Sequence, residues 1–343
     1  MEIEYIYEGE EFLYFNIWVT NECNYNCLYC YEENKKHESN MNQETANRVV
    51  EYIFECCREK NIDAVWMNFH GGEPMLNREQ IKYIINCFRE RKGTLKLYTS
   101  MTTNCSIYDN EMTEYISELT VSIDGDRESH DKNRILRDGS GTYDLSIQNA
   151  QKYLMDKGSV RLRMVVTPNN VSELCNNVMH LYKLGFREII PGIDYYDENW
   201  TEELFDEVLF QFQKLQKHRE KKQIKDVRIG ILDDTVKEKG KCVVGCDGYQ
   251  ISSDGKLYPC LLVADNPYYC IGDIYSGLDY KAINKINKIN QKDVEQCADC
   301  GNYKYCITSR CLFLNEQLTG SCFCAAANVC ALENVKLKLW GII

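Results

Sequence analysis

The hydrophobic positions in the first two-thirds of the chain alternate between short apolar runs and longer amphipathic stretches. The apolar runs predict β-strands at residues 15–19, 64–69, 95–101, 119–123, 160–166 and 188–193. The amphipathic stretches predict helices at residues 43–58, 78–91, 109–117, 143–156, 172–184 and 202–219. Six strand–helix units in series are typical of a parallel α/β sheet curled into a partial barrel.

Polar motifs follow the first four predicted strands directly. In chain order they are Asn21-Glu22-Cys23, His70-Gly71-Gly72-Glu73-Pro74, Thr102-Thr103-Asn104 and Asp124-Gly125. Barrels of this kind carry their active sites at the C-terminal ends of the strands. We therefore expect these four motifs to converge on one pocket.

The pattern changes after about residue 226, where turn residues become frequent and helix periodicity weakens. Of the 19 cysteines, 11 fall between Cys242 and Cys330. We predict an N-terminal extension at residues 1–14, a barrel domain at residues 15–225 and a cysteine-rich domain at residues 226–343.

Charge and the lack of sorting signals narrow the function classes. The net charge of −12 argues against nucleic acid as a partner, because phosphate binding needs clustered Lys and Arg. The sequence has no export signal and no apolar run near the roughly 20 residues of a spanning helix, so we expect no membrane partner and a cytoplasmic protein. Thiols are kept reduced there, which favours metal ligation over disulfides.

The cysteines at the end of the first strand are spaced Cys23-x3-Cys27-x2-Cys30. Cysteine thiolate is the usual ligand of iron–sulfur clusters. Three thiolates would leave one iron of a [4Fe–4S] cube without a protein ligand and open to a substrate group. Accidental spacing, or half of a zinc site, is the alternative that the spacing alone leaves open.

This spacing resembles the cluster motif of the radical S-adenosylmethionine (SAM) superfamily, whose catalytic domain is a partial (β/α)6 barrel. The resemblance implies that the amino and carboxylate groups of SAM chelate the open iron. An electron from the cluster would then break the sulfonium bond and release a 5′-deoxyadenosyl radical. The cofactor supplies this chemistry, and the protein supplies orientation and exclusion of water.

Other strand-end residues resemble the SAM-binding motifs of the same family. The Gly-Gly-Glu-Pro segment would hold the methionine amino group, with its glycines letting the backbone approach the ligand. The resemblance implies the following cofactor-binding residues: Tyr29, Gly71, Gly72, Glu73, Ser122, Asp124 and Arg134. Ser122 and Arg134 would contact the ribose and the carboxylate. A turn role for Asp124 and ordinary packing for Tyr29 remain the alternatives.

The C-terminal cysteines resemble the SPASM extension of peptide-modifying radical enzymes, which binds two auxiliary [4Fe–4S] clusters and brings the expected total to three. By position the first would use Cys242, Cys246, Cys260 and Cys311, and the second Cys297, Cys300, Cys306 and Cys330. The spacing after Cys306 is one residue longer than in the family, and Cys322 or Cys324 could replace Cys330. A zinc ribbon is the rival, although zinc sites usually pair two Cys-x2-Cys units.

The remaining cysteines fit no ligand pattern. They are Cys56, Cys57, Cys87, Cys105, Cys175 and Cys270. Free cysteine packs as a small hydrophobic residue, so we expect ordinary core or surface thiols at these positions.

The resemblance also narrows the reaction, without assigning a catalytic residue. In the sulfatase-maturing subgroup a catalytic carboxylate follows the cysteine that matches Cys260, but this chain has Leu261 there. We therefore expect a peptide maturase that joins a Cys sulfur to carbon in a ribosomally made, Cys-containing precursor peptide, with a flavodoxin or ferredoxin as reductant. Peptide epimerisation, carbon–carbon crosslinking, formylglycine formation and a non-catalytic electron carrier are the alternatives.

Overall fold

The computed structural model of the chain describes residues 11–31, 39–234, 237–244 and 248–342. These residues contain one sheet of 11 strands. Strands β1 to β11 are, in chain order, Leu13–Thr20, Ala64–Gly71, Lys96–Thr103, Glu118–Ser122, Arg161–Val166, Glu188–Ile193, Arg228–Ile229, Gly248–Ile251, Lys256–Tyr258, Gly272–Asp273 and Gly277–Leu278.

The helices of the described residues lie between and after these strands. Helices α1 to α10 are, in chain order, Gln43–Lys60, Arg78–Arg91, Met112–Tyr115, Arg127–Asp131, Tyr143–Lys157, Leu174–Lys183, Glu202–Glu220, Tyr280–Asn290, Leu312–Thr319 and Ala327–Leu339. Short 3-10 turns include Pro74–Asn77 and Leu261–Val263.

The sheet is parallel from β1 to β7, with each strand beside the next one in sequence. On its other side β1 pairs in parallel with β8, and β8 to β11 form an antiparallel extension. The sheet does not close, because β7 and β11 lie at its two edges. The predicted fold, a partial barrel with a cysteine-rich C-terminal part, is confirmed.

Local sequence signals explain where the main helices begin and end. The Asn42 side chain accepts a hydrogen bond from the Thr45 amide at 2.8 Å and caps α1, which ends at a left-handed Asn61. The Thr201 side chain caps α7 in the same way. The helices bury their apolar faces on strands that are themselves buried, so the core lies between sheet and helices.

The structure departs from the predicted pattern in two places. The helix expected at residues 109–117 is only one turn long, Met112–Tyr115, and the C-terminal part contains three helices, α8, α9 and α10, that weak periodicity did not indicate. The predicted domain limits stay a prediction, since pairing of β1 with β8 continues the sheet across residue 226. Among the described residues, none of the helices has the length and apolar character to span a membrane.

Candidate functional site

The loop after β1, residues 21–31, is called here the cluster loop and carries Cys23, Cys27 and Cys30, all half-buried. Within it the Cys30 amide donates to the Cys27 carbonyl at 3.1 Å. The loop is also docked on the segment that contains Arg134. The amides of Asn26 and Leu28 donate to the carbonyls of residues 135 and 133 at 2.7 and 2.9 Å. These bonds fix the three thiols next to Arg134.

The three thiols influence one another electrostatically. Burial raises the pKa of the Cys23 thiol to about 11, and the neighbouring thiols Cys27 and Cys30 add to the rise. Burial also raises the pKa of Cys27, against the nearby positive charge of Arg134. The side-chain nitrogen of Asn104, Nδ2, lies 3.8 Å from the Cys23 sulfur. The motif cysteines therefore lie together in one partly buried setting.

Gly71 and Gly72 allow the loop after β2 to lie against the cluster loop. A Cβ on Gly71, which has a φ of +142°, would lie 2.0 Å from the Thr20 carbonyl oxygen, and a Cβ on Gly72 would lie 2.3 Å from that of Glu22. The Gly72 amide donates to the Thr20 carbonyl at 3.1 Å. Close approach of backbone to backbone thus requires both glycines, a reason different from the ligand approach that the sequence suggested.

Glu73 joins the loop after β2 to the end of β3 through its buried carboxylate. Its Oε1 accepts hydrogen bonds from the Thr103 hydroxyl at 2.6 Å and the Met75 amide at 3.1 Å. Its Oε2 accepts from the Asn104 amide at 2.7 Å. Burial raises the pKa of this carboxyl, and these donors counteract the rise. Glu73 therefore has a structural role in the site, beside the ligand role predicted for it.

Tyr29, which is half-buried, connects the buried side chains of Asp124 and Arg134. The Tyr29 hydroxyl donates to Asp124 Oδ2 at 2.6 Å and accepts from Arg134 Nη1 at 2.8 Å. Asp124 Oδ1 accepts from the Val165 amide at 3.0 Å, which fixes the carboxylate to the C-terminal end of β5. Burial raises the pKa of Tyr29, so its hydroxyl keeps its proton. Three residues predicted for SAM binding thus lie in direct contact.

Ser122, by contrast, is not part of this contact group. It is the last residue of β4 and is half-buried. Among the described residues, its side chain has no hydrogen bond to the other predicted site residues. His130 instead supports the loop after β4, since its Nδ1 accepts from the Asp124 amide at 3.3 Å and its Nε2 lies 3.0 Å from the Thr142 hydroxyl.

The first predicted auxiliary set is partly described. Burial raises the pKa of Cys260 to about 12, and Cys311 and Cys242 add to the rise because they lie nearby. Cys246, the fourth predicted ligand, lies outside the described residues. Three of the four cysteines of this set therefore share one neighbourhood.

The second predicted set is brought together as a whole. Burial raises the pKa of Cys297, and Cys330, Cys306 and Cys300 each add to it. Cys322, an alternative to Cys330, lies 3.5 Å from the Glu316 carboxylate and packs against the apolar cluster that contains Cys297. Over the described ranges, no three His, Cys, Asp or Glu side chains converge tightly enough for a single metal ion.

A cavity of about 600 Å³ lies between the cluster loop and the C-terminal part. Tyr29 and Cys30 line it from the barrel, and Leu262 and Asp265 line it from the segment that follows Cys260. The residue directly after Cys260 is Leu261, which carries no carboxylate and packs against the buried side chains of Trp18, Tyr258 and Ala264. The cavity therefore lies between Cys30 of the cluster loop and the segment that follows Cys260 of the first predicted auxiliary set.

Thr103 and Asn104 contribute to the site although no ligand role was predicted for them. Thr103 ends β3 and Asn104 follows it. Both donate hydrogen bonds to the Glu73 carboxylate, and the Asn104 side chain also contacts the Cys23 sulfur. Their position at a strand end was the available signal. These contacts connect the motif at the end of β3 to the motifs that follow β1 and β2, as the expected convergence of the motifs predicts.

Known proteins share both the cluster motif region and the fold. The family model for a "4Fe-4S single cluster domain" matches residues 9–146. The radical SAM cyclopropyl synthase TigE of Paramaledivibacter caminithermalis is 25% identical over 52% of this chain and 40% of its own length. A cysteine-type anaerobic sulfatase-maturating enzyme of Clostridium perfringens is 24% identical over 83% of this chain and 84% of its own.

Solved structures extend the likeness to the whole chain. Native anSMEcpe with bound AdoMet and Kp18Cys peptide superposes with a TM-score of 0.80 at 20% identity, covering 96% of this chain and 99% of that one. SuiB of Streptococcus suis bound to the precursor peptide SuiA gives 0.65 at 15%, covering 94% and 76%. The chain spans about half the length of several curated relatives that it matches, with 59%, 40% and 43% for three of them.

The relatives to which the chain is similar thus include, by name, a radical SAM enzyme, the class that the cluster motif of this sequence resembles. The chain shares its fold with anSMEcpe and SuiB, and both of those proteins were solved with bound S-adenosylmethionine. The match to the 4Fe-4S cluster domain includes Cys23, Cys27 and Cys30.

Proposed function

We propose that this chain is a peptide maturase that cleaves SAM reductively and forms Cys sulfur-to-carbon thioether crosslinks in a ribosomally made peptide. Cys23, Cys27 and Cys30 hold the catalytic cluster in this proposal, and the two C-terminal cysteine sets hold auxiliary clusters, three clusters in all. The chain works in the cytoplasm, where thiols stay reduced, and takes electrons from a flavodoxin or ferredoxin.

The observation that carries the proposal is the cavity between the cluster loop and the segment after Cys260. A volume of about 600 Å³ lies within the usual size of ligand pockets and is open to a peptide segment beside SAM. A substrate in this cavity contacts residues next to Cys30 and residues next to Cys260 together. An electron carrier without a substrate would have no use for a cavity at this place.

The residues at the cluster loop fit the proposed groups. Cys27 and Cys30 raise the pKa of the partly buried Cys23 thiol, so thiolates at these positions would repel one another, and bound iron would remove that repulsion. Arg134 is 6% exposed, and its Nε has no hydrogen-bond partner among the described residues. A guanidinium donor of this kind suits a carboxylate such as that of SAM.

When bound, the cluster and SAM together supply an electron and a carbon-centred radical that abstracts hydrogen from the substrate. The chain's own residues bind and orient. Asp124, through the Tyr29 hydroxyl, holds Arg134 in place, and the Tyr29 proton stays on its oxygen. Glu73 connects the end of β3 to the cluster loop, because its carboxylate binds Thr103 and Asn104 and its backbone amide donates to the Glu22 carbonyl at 2.7 Å. Gly71, Gly72 and Ser122 complete the proposed SAM site.

Mass spectrometry of a reacted peptide tests the proposed reaction. The enzyme is incubated anaerobically with SAM, dithionite and synthetic Cys-containing peptides that represent candidate precursors. We expect a product lighter by two hydrogens for each crosslink, with one free thiol fewer for each such loss on alkylation. A product of unchanged mass that takes up deuterium from solvent would instead indicate epimerisation and would contradict thioether formation.

Formylglycine formation is the second candidate, favoured by the match along the whole chain to the sulfatase-maturating enzyme and to anSMEcpe. Leu261 argues against it, but Asp265, four residues further on, lines the cavity and carries a carboxylate. If this second function holds, a sulfatase-type Cys peptide is converted to an aldehyde and Asp265→Asn abolishes the conversion. If thioether formation holds, no aldehyde forms on that peptide with either protein.

A further inference from the structure

The Thr308 hydroxyl is buried beside the cysteines of the second predicted auxiliary set. Thr308 is 0% exposed and follows Cys306, a member of that set, by two residues. Its Oγ1 has no nitrogen or oxygen hydrogen-bond partner among the described residues. Leaving a buried hydroxyl without a partner costs about 1–3 kcal/mol, so we expect a group nearby that accepts its hydrogen bond.

The Cys330 sulfur is the acceptor within reach of this hydroxyl. Burial raises the pKa of the Cys330 thiol, and a hydrogen bond from the Thr308 hydroxyl counteracts the rise. Cys306 and Cys300, which belong to the same set, also lie close enough to raise it. A neutral thiol accepts hydrogen bonds only weakly, whereas a thiolate is a charged and stronger acceptor. The hydroxyl without an oxygen or nitrogen partner therefore fits a set of thiolates that holds a cluster.

Contacts on both sides of Thr308 hold it against helix α10, which carries Cys330. The amide of the preceding residue, Ile307, donates to the buried Glu333 carboxylate at 3.2 Å. Glu333 follows Cys330 by three residues in α10, so the two side chains lie on the same face of the helix. The Asn315 side chain donates to the Thr308 carbonyl at 2.9 Å. The backbone of Thr308 is thus fixed next to Cys330 by the protein itself.

Donors of a different kind act on the first predicted set. Burial raises the pKa of the Cys260 thiol, and hydrogen bonds from the backbone amides of Leu262 and Val263 counteract that rise. Backbone amides are present whatever the side chains are. The donor to Cys330 is a side-chain hydroxyl, so a single substitution can remove it without changing the number of thiols.

We propose that the Thr308 hydroxyl donates a hydrogen bond to the Cys330 thiolate of the second auxiliary cluster and raises the reduction potential of that cluster. This inference rests on the auxiliary clusters of the proposed function. Hydrogen bonds to cluster sulfurs are among the factors that set the potential, because a donor stabilises the more negatively charged, reduced state. Thr308 acts through Cys330 and is a positioning residue.

A redox titration followed by EPR spectroscopy tests this role. The variant with Cys23, Cys27 and Cys30 replaced by Ala is the background protein, because it keeps only the auxiliary sets. The signal that disappears on adding Cys330→Ala belongs to the second cluster.

Thr308→Val keeps the shape of the side chain and removes the hydroxyl. At a fixed potential we expect its ratio of reduced to oxidised second cluster to be about tenfold lower than in the background protein, which is about 59 mV for a one-electron couple. Thr308→Ser keeps the donor, and its ratio should stay within about twofold of the background protein. The matched control is Thr94→Val, because Thr94 is exposed in the loop before β3, and it should leave the ratio unchanged. The same ratio in Thr308→Val as in the background protein would overturn the proposal.

Pulsed EPR after exchange into D2O observes the hydrogen bond itself. The reduced second cluster should couple to the deuteron of the Thr308 hydroxyl in the background protein and in Thr308→Ser, and this coupling should be lost in Thr308→Val. If Thr308→Val assembles no second cluster, the background protein still decides. The lack of any strongly coupled deuteron at its second cluster would overturn the proposal.

Iron content separates this inference from the proposed function. About eight irons per chain in the background protein show that both auxiliary clusters are present. With that content, a potential that is independent of the hydroxyl overturns only this inference. Zinc, or no metal, in place of the second cluster overturns the inference together with the auxiliary clusters of the proposed function.

Discussion

Replacing Gly72 with Ala should force the loop after β2 away from the cluster loop. The added Cβ would lie 2.3 Å from the Glu22 carbonyl oxygen and 2.6 Å from its carbon, both of them backbone atoms. Ordinary contacts between such atoms are about 3.5–4.0 Å, so the two loops must separate by roughly 1 Å. Neither atom belongs to a side chain that can rotate away.

The magnitude follows from the contacts that the separation breaks. The Gly72 amide donates to Thr20 at 3.1 Å, and the Glu73 amide donates to Glu22 at 2.7 Å. Loss of both hydrogen bonds costs about 2 kcal/mol, and crowding of the added Cβ against the Glu22 backbone costs about 1–3 kcal/mol. We therefore expect the free energy of unfolding to fall by about 3–5 kcal/mol. A displacement of roughly 1 Å near the reacting groups should also lower the rate of SAM cleavage about 100-fold.

Urea unfolding at matched iron content, iron per chain and 5′-deoxyadenosine formation measure these effects. Gly240→Ala is the matched control, because no atom lies within 4 Å of a Cβ added there. Its unfolding free energy should change by less than about 0.5 kcal/mol. A Gly72→Ala protein with the wild-type urea midpoint, iron content and cleavage rate would refute the role assigned to close loop contact.

Three further predictions concern the metal centres and the buried tyrosine. Anaerobically reconstituted protein should carry about twelve irons per chain, and about four irons with one or two zincs would contradict the auxiliary clusters. Cys330→Ala should lower the iron content by up to about one-third, whereas Cys324→Ala should not; equal loss would contradict the choice of ligand. Tyr29→Phe removes the hydroxyl between two buried charged side chains and should lower the free energy of unfolding by about 2–3 kcal/mol. Urea unfolding measures this loss, with the exposed Tyr280→Phe as control. An unchanged urea midpoint for Tyr29→Phe would contradict the role of the hydroxyl in connecting Asp124 to Arg134.

The barrel was predictable from sequence because its signals are local. The apolar run at residues 188–193 and the amphipathic stretch at residues 78–91 match β6 and α2 residue for residue. Strands β7, β10 and β11 have only two residues each, and so short a segment carries no period of its own. Their strand geometry comes from pairing with distant neighbours.

Helix α10 was missed for a related reason. In α10 the buried positions include the charged Glu333, which pairs with Lys336 at 2.8 Å and accepts from the Ile307 amide at 3.2 Å. A buried charge interrupts an apolar stripe, and only tertiary partners make it acceptable.

The sequence indicated which residues would lie close together at the site, but not which atoms of these residues would be in contact. The motif cysteines, Tyr29, Asp124 and Arg134 do lie together, but the sequence could not show that one hydroxyl connects the last two. The role of Gly72 against the Glu22 backbone depends on how two loops pack, which strand-end motifs do not specify.

Reductive cleavage of SAM at Cys23, Cys27 and Cys30 is the central claim, and formation of 5′-deoxyadenosine under dithionite tests it most directly. The wild type and the control Cys87→Ala, which changes a thiol outside all three sets, should both form it. The variant with all three motif cysteines replaced by Ala should form none and should keep about two-thirds of the iron. Cleavage of SAM by that triple variant at the wild-type rate would contradict the assignment.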